Sequence, residues 1–164
     1  MFRHKVFVVT TLLAVLVSSL VWVGTSMATP GSGVTPSPIT AARLADPVQL
    51  KFKTENSGFG NGLEVTNLSM VKFTVAPGGA FGWHQHGGPV WAIIASGTLT
   101  LYQGDDPSCQ GKEYGPGSAL LDPGDHTHNA RNEGDVDVVV YATFMLPEGG
   151  AARIDVPSPG NCPF

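Results

Sequence analysis

Alternation of apolar and polar positions dominates the chain from Val48 onward. Val48, Leu50 and Phe52 interleave with Gln49, Lys51 and Lys53, the mark of a strand with one buried face. After a glycine-rich turn from Glu55 to Gly62, Val71, Phe73 and Val75 alternate with Lys72 and Thr74, and Pro77-Gly78-Gly79 stops this second strand. Short strands are then predicted at 81–86, 90–95, 98–102, 119–121 and 136–146. Their separators are Gly87-Gly88-Pro89, Ser96-Gly97, a long loop at 104–117, and Pro123-Gly124-Asp125. Many short strands joined by such turns predict an all-β sandwich or barrel. The abundance of glycine and proline, with few charged residues, points the same way.

The N-terminal segment follows a different pattern. Arg3, His4 and Lys5 precede an apolar run from Val6 to Val23, and Ser26-Met27-Ala28 offers small residues where a signal peptidase cuts. Residues 1–28 are read as a signal peptide cleaved after Ala28, which implies a secreted or extracytoplasmic protein. The alternative is an uncleaved membrane anchor, but Thr10, Thr11, Ser18 and Ser19 interrupt the run. Residues 29–46, rich in Pro, Gly, Ser and Thr, are expected to form a tether, with the barrel at 47–147 and a C-terminal tail at 148–164.

Cleavage changes the charge as well. It removes Arg3 and Lys5 and takes the formal charge from −4 to −6. An acidic chain without a basic cluster has no electrostatic footprint for nucleic acid, or for a membrane once the leader is gone. The 136 residues after Ala28 suffice for one core and not for two ordinary domains. Both cysteines, Cys109 and Cys162, lie in this part, and an oxidising compartment favours their pairing into a staple between the tail and a central loop.

Candidate chemistry lies with the histidines. Four of the five fall in two clusters, His84/His86 and His126/His128. Residues two apart on a strand project to one face, so His84 and His86 can converge on a point. Imidazole is the commonest protein ligand for transition metals, and a third histidine from another strand would complete a facial three-nitrogen site. For one His-x-His pair alone, surface imidazoles bonded to backbone are the simpler reading. The second cluster tips the balance.

The spacing of these clusters resembles the cupin superfamily. Gly78, His84, His86, Val90 and Gly97 follow its first motif, with valine where that motif carries glutamate. Gly117, Pro123, His128 and Asn132 follow the second, with Asp125 where glycine is usual. The resemblance implies a single cupin β-barrel, a double-stranded β-helix or jelly roll. It also implies that His84, His86 and His128 bind one divalent transition metal (Fe, Zn, Mn, Cu or Ni). The fourth ligand has no counterpart, because Val90 cannot bind a metal; Glu64, Glu113 and Asp122 are the acids considered in its place. His126 is out of register and is expected near the site without ligating.

Asn132 and the motif glycines are expected to close turns. Gln85 should point away from the metal. Phe81, Trp91 and Phe144 could line a pocket, with Phe144 better suited to the core, and Arg131 could meet an anionic substrate. Trp83, of opposite parity to His84, is expected to face outward, where a homodimer contact would use it. Three-histidine cupins without the acid include dioxygenases acting on thiols or diketones, so the resemblance admits an oxygenase-like oxidoreductase. It equally admits a non-catalytic module that binds a small ligand, or a purely structural barrel.

Overall fold

The computed structural model describes residues 28–51 and 62–164. The expected signal segment (apart from Ala28), Phe52 of the first predicted strand and most of the first glycine-rich turn lie outside the described residues. Among these residues ten strands occur in chain order: β1 Ser32–Leu50, β2 Leu63–Ala80, β3 His84–Gln85, β4 Val90–Ser96, β5 Leu99–Gln103, β6 Lys112–Tyr114, β7 Ala119–Asp122, β8 His128–Arg131, β9 Val138–Leu146 and β10 Ile154–Asp155. Among the described residues there is no helix, and hence none that could cross a membrane. All strand pairs are antiparallel. One half of the sheet runs β1-β2-β9-β4-β7 and the other β10-β3-β8-β5-β6, joined where Ala80 of β2 meets Arg131 of β8. This is the all-β single barrel that the motifs imply.

Alternation explains the core. In β9, Val138, Val140, Ala142, Phe144 and Leu146 point inward; in β4, Val90, Ala92 and Ile94 do the same. The register sets Val90 opposite Phe144, Ala92 opposite Ala142 and Ile94 opposite Val140, so inward side chains stack across the strands in rows. Leu99 and Leu101 of β5 and Ala130 of β8 close the core from the other half.

Asn132 does the structural work expected of it. Fully buried, it donates from Nδ2 to the carbonyls of Val75 and Val136 and accepts the Gly134 N–H at Oδ1. Its backbone also exchanges hydrogen bonds with Gly78 and Gly79, tying the end of the second motif to the start of the first.

Four expectations need correction. Residues 29–46 are not a free tether: Ser32–Leu50 form β1, an exposed edge strand paired along β2. Composition read as linker because an edge strand tolerates what a central one cannot. Pro36, Pro38 and Pro47 lack an N–H, and the pairing accommodates them with register shifts between Pro38 and Thr40 and between Arg43 and Val48. The predicted strand at 81–86 shrinks to His84–Gln85, and the loop at 104–117 contains β6. Trp83 does turn away from the histidines, yet it is fully buried, so no surface remains for a subunit contact.

The cover over Trp83 is the C-terminal tail. β10 pairs with β3, and the Phe164 ring stacks over Trp83 at 6.4 Å, meets Tyr102 at 4.9 Å and lies 4.1 Å from the Arg131 guanidinium. Asn161 Nδ2 donates to the carbonyls of Gln103 and Asp106, and a Cys109–Cys162 disulfide rivets the tail in place. That bond is consistent with an extracytoplasmic compartment. The linked residues are 53 apart. Replacing both cysteines by serine should therefore lower the unfolding free energy by about 4 kcal/mol through loop-closure entropy, read as a lower urea midpoint with a steeper slope, because the unlinked unfolded chain exposes more surface.

Candidate metal centre

β3 and β8 supply the cluster. The register places His84 directly opposite His128, and the chain leaving β3 carries His86 to the same face two residues on. All three side chains are buried, and their ring centroids lie 4.3 Å (His84–His128), 4.8 Å (His84–His86) and 5.1 Å (His86–His128) apart. One ring nitrogen from each lies within 4.8 Å of the others, a group that could hold a metal ion. Metal–nitrogen bonds of about 2.1 Å ask for nitrogens roughly 3.5 Å apart, which small ring rotations supply.

The hydrogen bonds decide which nitrogen faces the centre. His84 Nδ1 lies 2.7 Å from the Gly82 carbonyl, and His86 Nδ1 lies 2.6 Å from the Ala152 carbonyl. His128 Nδ1 lies 2.8 Å from Asp122 Oδ2 and 3.0 Å from the His126 carbonyl. Carbonyls and carboxylates only accept, so each Nδ1 carries the proton and donates. Each Nε2 is left with a lone pair, as metal ligation requires.

Electrostatics agree. Burial first, then the neighbouring imidazoles His128 and His86, push His84 from its ordinary 6.5 down to about 2. Burial and His128 take His86 to about 4. Both are therefore neutral near pH 7. A donor set of three imidazoles fits a first-row divalent cation.

The acid missing from the first motif has a neighbour rather than a substitute. Val90 lines the cavity, and its cross-strand partner is Asp122. Asp122 is buried, accepts the Gly124 N–H at 2.6 Å and holds the Nδ1 side of His128 rather than joining the three nitrogens. Burial alone would raise its carboxyl, but the hydrogen bond and charge of His128, helped by His86 and the Gly124 N–H, hold it below the ordinary carboxylate range. The tight turn depends on Gly124. Its φ is +110°, and a Cβ there would lie 2.6 Å from the Gly88 carbonyl oxygen, so no side chain fits.

The other candidates fall elsewhere. Glu64 accepts from Gln49 on the surface, and Glu113 is exposed on β6. His126 stands outside the cluster, its Nε2 3.9 Å from Asp125. Gln85 points away, donating to the Asp125 carbonyl and the Thr127 hydroxyl. Arg131 is paired with Glu133 beneath Phe164, away from the cavity.

The histidines open onto a cavity of about 300 Å³ in the barrel. Its wall is largely apolar, with Phe73, Phe81, Val90, Leu101 and Phe144 among the residues that line it. Phe81 stacks on His84 at 6.0 Å and Phe144 meets His86 edge-on at 5.4 Å, so aromatic rings shield the imidazoles from water. Trp91 takes no part, being exposed on the outer face. Two residues escaped the sequence reading, Ala152 with its carbonyl on His86 and Arg153 at the cavity wall. No local signal marks either, because only tail docking brings them to the site.

Comparison with known proteins bears on the fold. The family described as "Cupin domain" matches residues 71–144. Among solved structures, a cupin-like protein from Thermotoga maritima superposes with a TM-score of 0.50 at 18% identity, covering 56% of this chain and 65% of that one. A cupin domain from Bordetella pertussis gives 0.48 at 18% identity over 74% and 99% of the two chains. A conserved protein of unknown function from Streptococcus pyogenes gives 0.42 at 16% identity over 49% and 65%. No curated protein matches the sequence. With both motifs, the barrel topology and the matched segment in agreement, residues 71–144 of the chain form a cupin domain.

Proposed function

We propose that this protein is an exported metal-binding cupin in which His84, His86 and His128 hold one divalent transition ion beside a cavity for a small organic ligand. The observation that carries the reading is the set of three Nδ1–H donors anchored outside the cluster, leaving three Nε2 lone pairs on one side. Three protein ligands would leave coordination positions open on the cavity side. A bound ion would supply Lewis acidity and, if redox-active, the means for oxygenase-type chemistry.

The chain's own part is to orient and to exclude water. Gly82, Ala152 and Asp122 fix the rings, Phe81 and Phe144 cover them, and the apolar wall admits a small organic molecule while keeping bulk water out. The Asp122 carboxylate, bonded to His128, raises the basicity of that ligand without occupying a coordination position. Export is supported by the leader-like segment and by the disulfide. A metal-binding role is favoured over a purely structural barrel because a structural role gives no reason to bury three imidazoles around one point.

Elemental analysis of untagged protein should find about one transition ion per chain, by the coordination arithmetic of a single facial site. His84→Ala and His128→Ala should each abolish that content; unchanged metal in both would refute the site. Asp122→Asn should weaken metal affinity by about 10- to 100-fold in competition with a chelator. Oxygen uptake by the iron-loaded protein, screened over thiol and diketone panels, should reveal turnover that His84→Ala lacks. Silence across the panels would leave ligand binding without catalysis.

Acid should destabilise the metal-free protein. Unfolded histidines take up protons near pH 6.5, whereas folded His86 does so only near 4 and His84 near 2. Over the intervening range the unfolded state binds more protons, so stability rises with pH and is lost on acidification. The urea midpoint at pH 5 should fall below that at pH 7, and the His84→Ala, His86→Ala double variant should flatten this difference.

A further inference from the structure

We propose that Arg153 makes the cavity selective for a monoanion, a carboxylate carried on an apolar body, by holding the carboxylate at the histidine end. This inference rests on the reading that the cavity is the ligand site.

The placement comes from the tail. β10 pairs Asp155 with His84 and Ile154 with Gln85, and one further step of the same register sets Arg153 opposite His86. Arg153 lines the cavity with the three histidines, and its neighbour Ala152 holds the His86 ring. The guanidinium is braced: Nε and Nη2 both reach Asp155 Oδ1 at 2.6 Å, and Nη2 also donates to the Phe81 carbonyl at 2.7 Å. These bonds use one edge of the fork and leave Nη1 without a partner among the described residues. A braced arginine loses little freedom when it meets a carboxylate, and its planar fork suits that group.

The charge balance of the wall points to an anion. Asp122 is the one acid lining the cavity among the described residues, and it is already engaged by His128 and the Gly124 N–H. Where the first motif would carry a glutamate, Val90 adds no charge. Asp155 offsets the charge of Arg153 and Asp122 is engaged by His128, so a divalent ion held on the three imidazoles would leave the excess of positive charge facing an otherwise apolar chamber. A cavity of about 300 Å³ holds about ten water-sized groups, which limits the ligand to roughly the size of an aryl-alkyl acid.

The test is calorimetric titration of 4-phenylbutyrate and its uncharged analogue 4-phenylbutanol into the mature, disulfide-bonded protein, zinc-loaded and metal-free. Wild type should bind the carboxylate about tenfold or more tightly than the alcohol. Arg153→Gln should remove most of that preference while leaving the affinity for the alcohol unchanged, and Arg153→Lys should restore part of it. Equal affinities in wild type, binding of neither probe, or a preference untouched by Arg153→Gln would each overturn the inference. If the protein holds zinc but shows no Arg153-dependent preference, this inference fails and the metal reading stands. If it holds no zinc but keeps the preference, the outcome is reversed.

Discussion

The site depends on three imidazole N–H groups that each find an acceptor outside the cavity. A buried ring nitrogen without a partner is costly, so the Gly82 carbonyl, the Ala152 carbonyl and the Asp122 carboxylate fix which side of each ring faces outward. Once those bonds form, the three opposite nitrogens must face one another. The burial that demands the bonds also holds His84 and His86 neutral. Ring orientation, protonation state and a dry cavity thus follow from one packing arrangement, in which aromatic rings, apolar strands and the tail enclose β3 and β8.

Val90 and Asp122 show how a local substitution redistributes charge. They sit opposite each other across β4 and β7, so the buried negative charge is present but displaced onto the outer nitrogen of His128. A carboxylate there steadies one ligand while leaving a coordination position open. It also sets that negative charge behind His128 rather than among the three nitrogens, which would matter to any anionic ligand approaching an ion held there.

The C-terminal tail belongs to the site as much as the barrel does. It contributes the acceptor for His86, the cation at the cavity wall, the strand that pairs with β3 and the ring that covers Trp83. The disulfide to Cys109 ties the far end of this strap to the loop after β5, so a bond remote from the histidines limits how far the strap can lift from them.

Much of this was legible in residue order. The period-two pattern of Val138 to Leu146 and of Val90 to Ile94 specifies strands and their inner faces, because side chains alternate wherever a chain is extended. The same parity places His84 and His86 on one face and Trp83 on the other, and motif spacing picks out His128 over His126. Composition misled at Ser32–Leu50, where prolines read as linker although an edge strand accepts them. Parity fell short at Trp83, whose direction away from the histidines was right but whose burial depends on Phe164, 81 residues later. What parity and spacing determine is direction, a property of neighbouring residues. Only the folded chain decides partners: that Ala152 meets His86, that Asp122 bonds His128 instead of entering the cluster, and that Arg153 reaches the cavity. Those contacts join residues far apart in sequence, and their energies depend on burial and register that no local segment possesses alone.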